Sequence, residues 1–222
     1  MSQSDASNIP ANLEKAHVEE AYARWAPIYD LVFTLAMKPG RLAAAGAADR
    51  PGGLVLDVGV GTGLELPMFN RQTRLIGVDL SAPMLERAKM RVKAEGLTNV
   101  EDLLVMDAMA LEFPDNHFDA VVAPFVLTVV PDPEATLAEL ARVVKPGGEI
   151  VLVNHVGAES GFIAFAEAFL AKHSHKLGWR PQFPWSILGN WISARSDIQL
   201  IERRAIAPLG LFTLARMLKT GA

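Results

Sequence analysis

Residues 54–65, LVLDVGVGTGLE, limit what this chain can fold into more than any other stretch. Leu54, Val55, Leu56 and Val58 make an apolar run of strand length, and three glycines spaced two apart follow at once. Such a run is the pattern of a parallel strand buried on both faces. Gly59, Gly61 and Gly63 allow the backbone to bend sharply and to approach a ligand with no Cβ in the way. A helix is expected from Leu64.

A glycine-rich turn between strand and helix also seats the pyrophosphate of dinucleotides, in the spacing G-x-G-x-x-G. Here the third glycine comes one residue early, and Asp57 stands at the strand end just before the turn. A carboxylate repels a pyrophosphate but suits the cationic amino group of S-adenosylmethionine, which carries no phosphate. Twenty-two residues after Asp57, the strand LIGVDLS ends in Asp79, placed to accept hydrogen bonds from ribose hydroxyls.

With these features the sequence resembles the class I S-adenosylmethionine-dependent methyltransferases. The likeness repeats at later strand ends, in VMDAMALEFPDNHFDAVVAPFVL and LARVVKPGGEIVLVNH. The resemblance implies an α/β fold, a Rossmann-like three-layer sandwich around a seven-stranded, mostly parallel sheet whose last strand is antiparallel. It implies that S-adenosylmethionine is held by Asp57, Gly59, Val60, Gly61, Thr62, Gly63, Asp79, Leu80 and Met84, with S-adenosylhomocysteine as product. It further implies Asp107 on the adenine amino group, Ala108 and Met109 along the base, and Pro124 and Phe125 near the transferred methyl. Read without the resemblance, Asp107 caps a turn.

At 222 residues, half of them apolar, the chain is long enough for one ample core, and 1–222 reads as a single domain. Zero cysteines exclude disulfides and thiolate metal sites, in keeping with a reducing compartment. The start, MSQSDASN, has neither the positive charge nor the apolar core of a secretion signal, and residues 1–8 are expected to be disordered. The longest apolar run, Val121 to Val130, is about half of what a membrane span needs. These features predict a cytoplasmic protein, at most peripherally associated with the membrane.

Net charge is −4, yet from Gly161 onward eight basic residues face three acidic ones. Near an anionic membrane surface each basic residue is worth about 1 kcal/mol, and the bland alternative is a solvated face. The N-terminal helix expected from Ala11 to Ala26 gathers Leu13, Val18, Tyr22 and Trp25 on one face. Residues 1–48 therefore read either as lid helices over the cofactor or as ordinary cover for a sheet edge. A second helix, 31–48, is interrupted on paper by Pro39-Gly40. Residues 160–195 form an insertion with Arg180, Trp185 and Trp191 in its second half, either a lipid-pocket cap or an aromatic core under a lid.

The helix opened by Ser81-Ala82-Pro83 should lay Met84, Leu85, Ala88 and Val92 on the sheet. His117 sits at the start of the fourth strand, the wrong end for a ligand, and His173 and His175 lack a third ligand, so no metal site is expected. His155, closing the fifth strand beside Asn154, is positioned to meet a substrate, or is satisfied by a local backbone bond. Pro208-Leu209-Gly210 predicts a closing hairpin of strands six and seven.

YARWAPIYD, APFVLTVVPDPE, VLVNH and RRAIAPLGLFTLARM are similar to the soluble bacterial phospholipid N-methyltransferases, which convert phosphatidylethanolamine stepwise to phosphatidylcholine. That resemblance implies a phospholipid substrate at an anionic membrane surface, with no nucleic acid and no obligate protein partner. On it, Tyr22, Tyr29 and His155 are the candidate bases, and Trp25, Phe125, Asn154, Arg180 and Trp185 the candidate substrate contacts. The alternatives are a quinone-ring C-methyltransferase and, from another class, an NAD-dependent oxidoreductase or nucleotide-binding module.

Overall fold

The computed structural model describes residues 35–155, 184–207 and 210–221, in two compact units, 1–38 and 39–222. Of the first unit the described residues are 35–38, which are helical. The expected N-terminal helix and most of the insertion lie outside the described residues.

In the second unit, β1 (Leu54–Val58) is buried along its whole length. It pairs in parallel with β2 (Arg74–Asp79) on one side and β4 (Phe118–Pro124) on the other. β3 (Val100–Val105) adds to β2 and β5 (Val144–Asn154) to β4, again in parallel. The closing hairpin is β6 (Ile198–Ile206) and β7 (Phe212–Lys219), and β7 inserts antiparallel beside β5. The order β3-β2-β1-β4-β5-β7-β6 thus has six parallel strands and one opposed, as expected. Chain progression reverses between β1 and β4, and an open α/β sheet holds its ligand outside the carboxyl ends of the strands at that switch.

Helix α1 (residues 39–48) runs through Pro39 and Gly40 without the expected interruption, because a proline's φ suits a helix and the turn before it is already helical. Helix α2 (Ala82–Glu95) packs on β2 and β3 and ends at Gly96 in the left-handed conformation. Its stripe is narrower than expected: Leu85 and Ala88 are buried, while Met84 is exposed. Helix α3 (Pro133–Val143) is capped by Asp132, whose side chain accepts from the Glu134 and Ala135 amides, and it packs on β4 and β5. Helix α4 (Trp185–Ser193) is the described part of the insertion.

The helix expected from Leu64 does not form, and a three-residue 3-10 turn, Leu66–Met68, stands in its place. Ten residues separate Gly63 from Arg74. They must run back along the sheet by roughly the length of β2, about 20 Å, whereas ten α-helical residues advance only about 15 Å.

His117 packs edge-on against Phe118, with ring centroids 4.8 Å apart, at the amino end of β4, which is a packing role. Arg216 on β7 pairs with Glu149 at 2.8 Å and Glu202 at 2.7 Å, tying three strands together. Arg195 and Arg204 also pair with carboxylates, Asp197 and Glu202, so much of the C-terminal positive charge is spent within the fold. Lys219 is buried, and its Nζ donates to Asn116 Oδ1 at 2.7 Å, Ala141 O at 2.8 Å and Val144 O at 2.9 Å. Lys219→Met would keep the stem and strand three acceptors, on Asn116 before β4, Ala141 in α3 and Val144 at the start of β5. We expect a loss of about 2 kcal/mol, seen as a melting temperature roughly 4–8 °C lower. Among the described residues no helix is long and apolar enough to cross a membrane.

Candidate active site

At the carboxyl end of β1 the backbone turns through Gly59, Gly61 and Gly63, with φ of 75°, 55° and 73°. The turn is anchored to β2, since the Gly59 and Val60 amides donate to Val78 O at 2.8 and 3.1 Å. Asp79 completes the anchor: Oδ2 accepts from the Gly61 amide at 2.9 Å and Oδ1 from the Ser81 amide at 2.8 Å. The Ser81 side chain makes no cap bond, and the aspartate, which accepts from the Ser81 amide, closes the start of α2. A Cβ on Gly61 would meet nothing nearer than Gly59 O and Met84 Sδ at 3.9 Å, which leaves an open face beside the turn. Met84 therefore looks toward the turn and not onto the sheet. Leu80 and Met84 border that face with 71% and 46% of their surface exposed.

Beneath the turn lies a concentration of buried charge. Asp57 is 0% exposed and Glu65, two residues past the last glycine, is 5% exposed. Arg41 on α1 places Nε 3.9 Å from Glu65 Oε2. With both acids ionised neither can donate, and the two Asp57 oxygens then lack a hydrogen-bond donor among the described residues. With one protonated, the carboxyls bond to each other. Burial, with Glu65 and then Asp79 as neighbouring charges, pushes Asp57 well above the usual carboxylate range, against a weaker pull from Arg41. Burial likewise pushes Glu65 up to about 7, although Arg41 opposes it. A buried pair of acids with one arginine has room for a further cation and none for a phosphate.

Asp107 follows β3, and its Oδ1 accepts from the Met109 amide at 2.8 Å, so the turn-capping role is present; Asp107, Ala108 and Met109 are all half-buried. On the other side of β1, Pro124 ends β4 and Phe125 takes φ of 64°. A bulky residue held in that region costs about 1–3 kcal/mol and persists only where its surroundings enforce it. Here the Phe125 amide donates to Val153 O at 2.6 Å, and its ring meets Phe212 edge-on at 5.1 Å. His155 lies 6.3 Å from Phe212, ring to ring, and Arg41 Cζ is 5.9 Å from the Phe125 ring. Asn154 is 3% exposed, and its Oδ1 has no hydrogen-bond partner among the described residues.

The amino-acid sequence matches the family model described as a methyltransferase domain over residues 56–152. It is 41% identical over 204 residues to the phosphatidylethanolamine N-methyltransferase of Cereibacter sphaeroides, covering 92% of this chain and 98% of that one. The chain belongs to the class I S-adenosylmethionine-dependent methyltransferases. A ubiquinone/menaquinone biosynthesis C-methyltransferase of Shewanella frigidimarina is 35% identical over 48% of this methyltransferase, which spans 44% of that enzyme. The fold is shared with the YcgJ protein of Bacillus subtilis, at a TM-score of 0.67 and 20% identity, covering 82% of this chain and 99% of that one. A putative methyltransferase of Bacillus halodurans has the same TM-score at 18% identity, covering 81% and 99%.

S-adenosylmethionine, the cofactor of this methyltransferase, fits the residues present. The buried carboxyls of Asp57 and Glu65 favour a cation, the face beside Gly61 is open, and Asp79 stands at the end of β2. Sequence reasoning missed Glu65 and Arg41; an acid inside the apolar stretch Leu64–Leu66 was the one signal for the first. Phe212, opposite Phe125 and His155, was also missed. Trp185 stacks beneath Arg203, whose Cζ lies 3.8 Å from its centroid. Tyr22, Trp25, Tyr29 and Arg180 lie outside the described residues. Among the described residues no cluster of His, Asp and Glu is arranged to hold a metal.

Proposed function

We propose that this methyltransferase acts on phosphatidylethanolamine and its monomethyl and dimethyl derivatives, forming phosphatidylcholine in steps at a membrane surface. The observation that carries this reading is the 41% identity along 92% of the chain to a phosphatidylethanolamine N-methyltransferase, whereas the likeness to quinone-type enzymes is lower and shorter, 35% along 48% of the chain for one and 36% along 72% for another. The methyl donor supplies an electrophilic methyl group on a sulfonium. What the chain's residues must add is orientation and removal of a proton.

A phospholipid amine is protonated near pH 7, and its neutral form alone can attack. His155, at the end of β5, is the base available among the described residues, with Tyr22 and Tyr29 as partners from the N-terminal segment. Phe125 and Phe212 offer aromatic faces to the increasingly methylated ammonium, worth roughly 0.5–2 kcal/mol each. Asn154 Oδ1 offers an acceptor for an N–H. For the cofactor, Asp57 would face the ammonium, Asp79 the ribose hydroxyls, Asp107, Ala108 and Met109 the adenine, with Gly59, Val60, Gly61, Thr62, Gly63, Leu80, Met84 and Pro124 forming the walls. Residues 1–48 as a lid and 160–195 as the lipid-facing insertion belong to the same proposal. The stacked pairs Trp185–Arg203 and Trp191–Arg195 suit a headgroup region, where aromatic rings and guanidinium groups are favoured.

Incubating the full chain with labelled S-adenosylmethionine and vesicles of phosphatidylethanolamine should give labelled methylated lipids. Label appearing only in a quinone supplied in parallel would overturn the substrate assignment in favour of the C-methyltransferase reading. His155→Ala should lower kcat by about 10²–10⁴-fold while the calorimetric Kd for S-adenosylhomocysteine holds. Unchanged turnover would remove His155 from the mechanism.

A further inference from the structure

We infer that Asp57, Glu65 and Arg41 form a one-proton charge switch that tells the sulfonium cofactor from its thioether product, with Glu65 as the specificity-determining residue. The inference rests on the reading that the methionyl end of the cofactor lies at Asp57. Its basis is geometric. Two carboxylates from β1 and from the turn that follows it are buried together, and among the described residues the guanidinium paired with them is that of Arg41 on α1, 3.9 Å from Glu65. Asp79 on β2 adds a further negative charge, but its oxygens are committed to the Gly61 and Ser81 amides. Asp57 has no donor of its own among the described residues.

Fully ionised, the cluster of Asp57, Glu65 and Arg41 carries one negative charge in excess. An uncompensated buried charge is costly, so in the ligand-free protein one proton is shared between the two carboxyls. Burial raises both acids above the usual carboxylate range, Glu65 to about 7, which agrees with this. S-adenosylmethionine, with an ammonium, a carboxylate and a sulfonium, carries net charge +1. The ammonium at Asp57 is balanced by the ligand's own carboxylate, so the sulfonium two methylenes along the same chain supplies the missing positive charge, and the shared proton leaves to solvent. S-adenosylhomocysteine has lost the sulfonium charge and is neutral overall, so the proton stays. In a catalytic cycle the positive charge passes with the methyl group to the acceptor nitrogen, and the pair takes a proton back from solvent once the methylated product departs.

The sign follows from linkage. A ligand that binds the form with one proton fewer gains affinity as pH rises, by up to about tenfold per unit below the titration of the pair, near 7 for Glu65. A ligand that leaves the proton in place shows no such gain. Affinity for the sulfonium cofactor should therefore climb between pH 5.5 and 7, while affinity for the thioether stays level.

Isothermal titration calorimetry of the full chain at pH 6.5, below the titration of the ligands' α-amino groups, decides the matter when run in two buffers of different ionisation enthalpy. The ligands are S-adenosylmethionine, S-adenosylhomocysteine and sinefungin, whose amine stands where the sulfonium does and bears a similar charge. Release of about one proton with the two charged ligands and almost none with the thioether is the expected result. Equal proton release with all three would overturn the inference and leave the cofactor site intact. Failure of all three to bind would overturn the placement of the cofactor itself, and the inference with it. In Glu65→Gln the remaining Asp57 and Arg41 balance, so proton release should vanish and the ratio of the two affinities should lose its pH dependence. Retention of wild-type proton release by that variant would also overturn the switch. The wild-type proton count decides alone if the variant does not fold.

Discussion

Asp79→Ala is expected to raise the Kd for S-adenosylhomocysteine by about 10²–10³-fold, read by calorimetry on the purified protein. The carboxylate does two things at once. It holds the glycine turn through the Gly61 amide and the start of α2 through the Ser81 amide, and those bonds, 2.9 and 2.8 Å long, define the distance between turn and helix. Hydrogen bonds to an ionised acceptor contribute about 1.5–3 kcal/mol each. Removing both, together with any bond to the ribose hydroxyls, weakens a preorganised site by about 3–4 kcal/mol, hence the expected range. Asp79→Asn should fall between wild type and alanine, because its amide oxygen keeps one acceptor while its NH₂ opposes a donor. Undiminished affinity in the alanine variant would place the ribose elsewhere.

Gly59→Ala should cost about 3 kcal/mol of folding stability and lower the melting temperature by roughly 6–12 °C. Two penalties combine at this position. Its φ of 75° lies in the left-handed region, which costs a residue bearing a Cβ about 1–2 kcal/mol. The new methyl group would also overlap Val126 Cγ2, on a side chain that is itself buried in the core. Gly52 and Gly147 separate the two terms: each has positive φ, 71° and 80°, but a Cβ there meets nothing within 4 Å. Gly52→Ala and Gly147→Ala should therefore show the backbone penalty alone, about 1 kcal/mol. A Gly59→Ala protein no less stable than these two would mean that Val126 yields without cost.

The charge pair at Asp57 and Glu65 marks the border of what could be read in advance. Asp57 was legible, because a carboxylate ending an aliphatic strand before three glycines has few explanations. Glu65 and Arg41 were not, since their importance comes from being buried beside Asp57, and burial of residues so far apart in sequence is decided by packing. Phe125 is a similar case. Its place after β4 followed from the order of strands, but its left-handed backbone and its contact with Phe212 depend on how β5 and β7 lie beside β4.

The sequence by itself determined the alternation of strands and helices, the hairpin that closes the sheet, and the aspartates at the ends of β1 and β2. Those features rest on local patterns: apolar runs, glycine spacing, and capping residues that act within a few positions. The tertiary structure alone decided that ten residues after Gly63 form a short turn instead of a helix, and that Lys219 is buried against the end of α3. It alone decided, too, that Asp57, Glu65 and Arg41 share one buried site. Each of these depends on distances and dielectric surroundings that exist only once segments far apart along the chain have packed together.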